Sequence, residues 1–271
     1  MKKTFFEKIN ENENVTIDFL GDSITLGTIH CQKEEAYVAK FADYLASEIG
    51  THTIYRYDGI PIAGSAEPMK CFEGPVLCAV GKGEGKIDII KNGIGGSTVL
   101  KTTERPQDFL GELPNGARHD IAFLMYGIND ALVYDKGKFV SGEQFKKNCK
   151  KLIDMLIEDN PDVTIVLTPA TTPTILSYEK YPKYVTEEEG EKEYSIEDHV
   201  EAMKELASEE GYALIDTHAL WQNHKKEGEI RHGHGNWLVG NDSCHPSPIA
   251  SDVMAKFVCD EFIRLAKLGK I

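Results

Sequence analysis

The sequence lacks an apolar run long enough to cross a bilayer. Its longest, around Ile121 to Ile128, falls far short of the roughly 20 residues a spanning helix needs. No apolar stretch follows the basic start Met1-Lys2-Lys3-Thr4-Phe5-Phe6-Glu7-Lys8, so a secretory signal is not expected and a cytoplasmic location is. Cysteine is sparse and scattered. The six residues (Cys31, Cys71, Cys78, Cys149, Cys244 and Cys259) form no C-x-x-C pair, which favours free thiols over a disulfide framework. Positive charge is in deficit: 30 Lys and Arg stand against 44 Asp and Glu, for a net −14. That balance argues against nucleic acid or an anionic membrane as partner, since both need a basic face. It leaves room for a small anionic substrate in a local pocket. Internal repeats and low-complexity blocks are also missing.

What is present is a globular composition, 41% hydrophobic and 27% charged over 271 residues. Short apolar runs alternate with helical periodicity, which predicts an α/β layer fold with a mainly parallel sheet. Strands are expected at Val15–Leu20, Thr53–Tyr57, Lys86–Lys91, Ile121–Tyr126, Val163–Leu167 and Tyr212–Ile215. Helices are expected at Glu34–Ile49, Ser141–Asp159, Ser195–Glu210 and Pro248–Leu268. Three segments break the rhythm: Asp58 to Gly85, Thr171 to Tyr194 and Asn223 to Ser243. They read as long loops of one domain covering residues 1–271, lying beyond the carboxyl ends of strands, where open α/β sheets bind ligands.

Four short segments carry residues suited to chemistry. Gly21-Asp22-Ser23-Ile24-Thr25-Leu26-Gly27 follows the first strand. A Ser on such a tight turn presents its hydroxyl above the sheet, beside backbone N–H groups that favour developing negative charge. Alone, it reads more readily as a capping Ser in an ordinary β-α connection. Lys91-Asn92-Gly93-Ile94-Gly95-Gly96-Ser97-Thr98 follows another strand, and its glycines let the backbone approach a ligand. A dinucleotide fingerprint would need a third glycine where Thr98 stands. Gly81-Lys82-Gly83-Glu84-Gly85-Lys86 is a phosphate loop only superficially, because it precedes a strand and has Val80 in place of the first glycine. In Tyr126-Gly127-Ile128-Asn129-Asp130 an Asn amide ends a strand, able to donate to an oxyanion or to cap a turn. In Asp242-Ser243-Cys244-His245-Pro246 an Asp precedes a His by three residues. It can accept one ring N–H and leave the other nitrogen as a base; a loop His beside a solvated Asp is the alternative.

Taken in the order Ser, Gly, Asn, Asp-x-x-His, these segments resemble the GDSL hydrolases, also called SGNH hydrolases. The resemblance runs from residue 15 to about 260, with Ile24 where the family name has Leu and an unusually long stretch from Asp58 to Gly85. It implies a three-layer α/β/α sandwich with a flavodoxin-like, mostly parallel five-stranded sheet, and neither metal nor organic cofactor. It implies Ser23 as nucleophile, His245 as general base and then acid, and Asp242 orienting the imidazole. The oxyanion hole would be the Ser23 and Gly96 N–H groups with the Asn129 side chain; Gly96 is preferred to Gly95 by spacing from Gly93. Asp22 and Trp237 are candidates for the pocket wall.

Rival constellations are weaker. His232-Gly233-His234 with His224 nearby has no obvious carboxylate or Cys partner and no H-E-x-x-H pattern, so no metal is expected. Asp216-Thr217-His218 reads as a strand-end turn, and Cys244 is too close in sequence to His245 to face it. The tyrosine-rich, acidic segment Thr171 to Tyr194 reads as a solvated or subunit-contact loop, or as a wall stacking on a sugar ring. The expected activity is a serine esterase acting on short acyl groups or acetylated carbohydrate, a small-molecule ester. A thioesterase or lysophospholipase is the alternative within the class, and a non-catalytic binding protein on the same scaffold the alternative outside it. A homo-oligomer stays open.

Overall fold

Alternating side chains on Val15–Gly21 (β1) sort the interior into two faces. Val15, Ile17 and Phe19 enter one apolar cluster, whereas Leu20 enters another on the opposite side. The computed structural model describes residues 2–27, 31–59, 72–106, 113–131, 140–171, 184–186, 190–192, 196–227 and 245–271. In chain order the further strands are β2 (Thr53–Gly59), β3 (Phe72–Ala79), β4 (Lys86–Gly93), β5 (Ile121–Met125), β6 (Thr164–Leu167), β7 (Tyr184–Thr186), β8 (Gly190–Lys192) and β9 (Ala213–Leu214). The helices are α1 (Phe5–Asn10), α2 (Ser23–Leu26), α3 (Tyr37–Glu48), α4 (Val99–Glu104), α5 (Gly142–Asp159), α6 (Ile196–Glu210), α7 (Thr217–Glu227) and α8 (Pro248–Lys267).

Among the described residues seven strands form one sheet in the order β3-β2-β4-β1-β5-β6-β9, and β7 pairs with β8 separately. Every neighbouring pair in the large sheet is parallel except β2 with β3. The run β4-β1-β5-β6-β9 has the flavodoxin-like order, with β1 at the switch point where the winding reverses. The sheet is therefore wider than five strands, extended at one edge by β2 and the antiparallel β3. The long loop expected at Asp58 to Gly85 contains that edge strand. Pro75 hid it, and an edge is where a strand tolerates a residue without an N–H. Of the loop expected at Thr171 to Tyr194, the described part includes the β7–β8 hairpin. Of the one expected at Asn223 to Ser243, the described part is the end of α7.

Helices cover both faces. On one, α3 and α8 pack on Ile17, Phe19, Ile121 and Phe123; on the other, α5 and α6 pack on Leu20, Ala122, Leu124 and Ile165. Aromatic rings bind the first layer together. Phe19 stacks on Phe123 at 4.3 Å, and Phe41 of α3 meets Phe19 edge-on at 4.9 Å. Phe262 of α8 lies 5.7 Å from Phe41 and 5.9 Å from Phe123. The second layer rests on the period of α5, which buries Phe145, Cys149, Leu152 and Leu156 behind a Ser141 cap that accepts from Gln144 N–H. No helix among the described residues is long and apolar enough to cross a membrane.

Candidate active site

Register decides where the motif loops meet. Gly21 of β1 pairs with Gly93 of β4 and with Met125 of β5, so three chain segments leave the sheet at the same level. A Cβ on Gly93 would lie 2.4 Å from Leu26 N and 2.6 Å from Asp22 O, so the turn into α2 packs directly on this glycine. Asp22 caps α2, its Oδ1 accepting the Ile24 N–H at 2.9 Å. Ser23 is the first residue of α2 and is buried, 9% exposed.

The Ser23 hydroxyl faces a residue far along the chain. Its Oγ lies 2.7 Å from Nε2 of His245. His245 is held just ahead of α8, whose Ser247 cap accepts from Ala250 N–H at 3.1 Å. Cys31 Sγ donates to Pro246 O at 3.5 Å and lies 3.3 Å from Ser251 Oγ, tying this segment to the chain after α2.

The other two loops are joined by the Asn129 turn. Asn129 Nδ2 donates to Ser97 O at 3.0 Å and to Asp22 Oδ2 at 3.2 Å. Its neighbour Asp130 accepts the Val99 N–H at 3.1 Å, fixing the start of α4. Gly96, between them, has φ of +69°, a left-handed conformation that favours glycine. Burial pushes the Asp22 carboxyl up to about 6, against the opposing pull of the Ile24 N–H, His245 and the Asn129 amide. Burial pushes Asp130 up to about 7, with the nearby Asp22 adding to the rise and the Val99 N–H opposing it.

The model of the GDSL-like lipase/acylhydrolase family matches residues 75–252. The chain belongs to this family. Membership places it among the carboxylic ester hydrolases. The matched region holds the glycine loop, Asn129 and His245, and the fold brings the Ser23 turn to it. No curated protein matches the chain. Solved structures share its fold at low identity. A two-domain esterase (CEX) active on acetylated mannans has a TM-score of 0.61 at 13% identity, over 96% of this chain and 52% of its own. The present chain thus spans about half the length of that esterase. The acetyl xylan esterase AlAXEase has a TM-score of 0.58 at 16% identity, over 91% of this chain and 98% of its own. The lipase/acylhydrolase from Enterococcus faecalis has 0.57 at 14%, over 94% and 96%.

In this family member the sequence-derived residues Ser23, Gly96, Asn129 and His245 gather at the carboxyl ends of β1, β4 and β5. Asp242 and Trp237 lie outside the described residues, as do His232, His234 and Cys244. Asp22 turns its two oxygens to Ile24 and Asn129 and is itself buried, so it forms part of the loop framework. The described residues contain no group of three or more His, Cys, Asp or Glu able to hold a metal ion. His218 accordingly stands apart, at the start of α7, its Nδ1 3.3 Å from Ala170 O.

Sequence reading alone missed two features. One is the bridging role of Asp130. The other is a buried ionic cluster near the same edge: Arg56 makes two bonds to Asp58, at 2.9 and 3.0 Å, and Lys91 Nζ lies 3.3 Å from Asp58. Burial lowers the Lys91 pKa, with Asp58 pulling against it. The signal available was charge within otherwise apolar strands, with Arg56 and Asp58 two residues apart and so on one face.

Proposed function

We propose that the protein is a serine-dependent acetyl esterase acting on acylated carbohydrate. The observation that carries this reading is the 2.7 Å approach of His245 Nε2 to Ser23 Oγ. A neutral Ser hydroxyl is a poor nucleophile until a base removes its proton, and an imidazole at this distance is placed to do so. As Oγ bonds to the ester carbon, the proton passes to Nε2 and the carbonyl oxygen becomes an oxyanion. The Ser23 and Gly96 N–H groups and the Asn129 amide are the assigned donors to it, each such donor being worth roughly 3–4 kcal/mol by mutational precedent. Collapse breaks the ester C–O bond, and the departing alcohol takes the proton from His245. Water, deprotonated by the same nitrogen, then releases the acyl group. Asp242 is assigned to orient the imidazole, and Trp237 to the pocket wall.

The acetylated-polysaccharide esterases among the structural neighbours support the substrate class. So does the net charge of −14, which disfavours binding to an anionic lipid surface. The test is hydrolysis of p-nitrophenyl esters from C2 to C12, with acetate release from acetylated xylo- and manno-oligosaccharides. The expected optimum is C2, and Ser23→Ala and His245→Ala are each expected to abolish turnover. Full activity in Ser23→Ala removes the serine mechanism. An optimum beyond C8 removes the acetyl preference and favours a thioesterase or lysophospholipase.

A further inference from the structure

The backbone that carries His245 is held by more than the helix it precedes. Between α2 and α3 the chain turns at residues 31–36. The Gln32 N–H donates to Glu35 Oε2 at 2.8 Å, and the Glu35 N–H donates to Gln32 O at 2.9 Å. Ala36 then packs on the end of α2: a Cβ on Gly27 would lie 2.2 Å from the Ala36 Cβ. From the sheet, Lys91 of β4 donates to Lys33 O at 3.3 Å. Its ammonium is buried with Asp58 at 3.3 Å as counter-ion, so the turn is anchored to the sheet through a paired charge.

At the start of this turn, Cys31 meets the chain around the beginning of α8. A thiol has one hydrogen. Cys31 gives it to Pro246 O at 3.5 Å, so in the 3.3 Å contact with Ser251 the hydroxyl is the donor and the sulfur the acceptor. Burial raises the Cys31 pKa, so the sulfur keeps its hydrogen at neutral pH. Pro246 is the residue next to His245, whose Nε2 lies 2.7 Å from Ser23 Oγ.

We propose that Cys31 is a positioning residue for the general base: its thiol, lodged between Ser251 and the Pro246 carbonyl, fixes the backbone of His245 at the reach that proton transfer from Ser23 needs. This rests on the assignment of His245 as base. Acylation and deacylation both use that imidazole, so displacing it slows both, and kcat falls while KM holds.

The experiment measures kcat and KM on p-nitrophenyl acetate for Cys31→Ala, Cys31→Ser, Cys31→Val and Ser251→Ala, each with a thermal melt, and with His245→Ala alongside. Cys31→Ala is expected to lower kcat by at least about 10-fold with KM within about 2-fold, against the roughly 10²-fold cost of a 1 Å misplacement. Cys31→Ser keeps a donor and an acceptor and is expected to bring kcat back to within about 3-fold of the parent. Cys31→Val fills the space with neither and is expected to stay as slow as Cys31→Ala. Ser251→Ala is expected to lower kcat by about 3-fold in the parent and to add nothing in the Cys31→Ala background, because the two residues share one contact. Parental kcat in Cys31→Ala, no recovery in Cys31→Ser, full recovery in Cys31→Val, or a change in KM at constant kcat overturns the inference. Activity surviving in His245→Ala removes the base itself, which separates the two failures. If Cys31→Ala does not fold, Ser251→Ala decides, since alanine suits a helix interior: parental kcat there overturns the inference.

Discussion

Two buried carboxyl groups, Asp22 and Asp130, are raised to about 6 and about 7 by their surroundings. An unfolded chain would release these protons near pH 3.9. The native state therefore binds more protons between those limits, and the stability these groups contribute is full below about pH 4 and lost as pH rises through 6 to 7. Asp130→Asn keeps an oxygen for the Val99 N–H while removing the ionisation. Its stability relative to the parent is expected to improve from pH 5 to pH 8, by at most about 1.4 kcal/mol per pH unit. Urea unfolding of both proteins across that range checks it; a difference that does not vary with pH contradicts the raised proton affinity. At this scale the sequence was informative about which residues gather, because Ser23, Gly96, Asn129 and His245 each sit in a distinctive short motif. It was silent about how they hold one another. The bonds from Asn129 to Ser97 and Asp22, and from Val99 to Asp130, depend on strand register, which no local motif encodes.

At the scale of elements, the site depends on how closely α2 can settle on the end of β4. In Gly93→Ala the new methyl would meet backbone atoms of Leu26 and Asp22, which move only if the turn moves. The expected result is a fall in kcat of about 10²-fold, the usual cost of a misplacement near 1 Å, with a smaller change in melting temperature. Steady-state kinetics beside a thermal melt separates the two effects. Ser247→Ala removes the cap of α8 and is expected to destabilise by about 1 kcal/mol. The elements legible in the sequence are those with an apolar run or a strong apolar period: β1, β2, β4, β5, β6, β9, α3, α5, α6 and α8. Those that escaped lack one. The strand β3 is exposed along most of its length and interrupted by Gly74 and Pro75. The six-residue α1 is held by the reciprocal Thr4–Glu7 capping box and by burying Phe5 and Ile9. Neither signal stands out before the neighbours are known.

At the scale of the whole molecule, the ring cluster of Phe19, Phe41, Phe123 and Phe262 couples the sheet to the helix that follows His245. Phe262→Ala is expected to cost about 3–5 kcal/mol, read by chemical denaturation, since the side chain is fully buried. By contrast Leu77 and Val80, 54% and 76% exposed at the sheet's open edge, are expected to accept Lys within about 0.5 kcal/mol. A larger loss by the same denaturation would show that these side chains are covered. The pairing of Ser23 with His245 across a separation of 222 residues has a consequence during synthesis. A ribosome releases the hydroxyl-bearing turn early and the imidazole late. On the proposed chemistry, a nascent chain stays inert as an esterase until the segment bearing His245 has emerged and docked, so activity reports the meeting of these two distant segments.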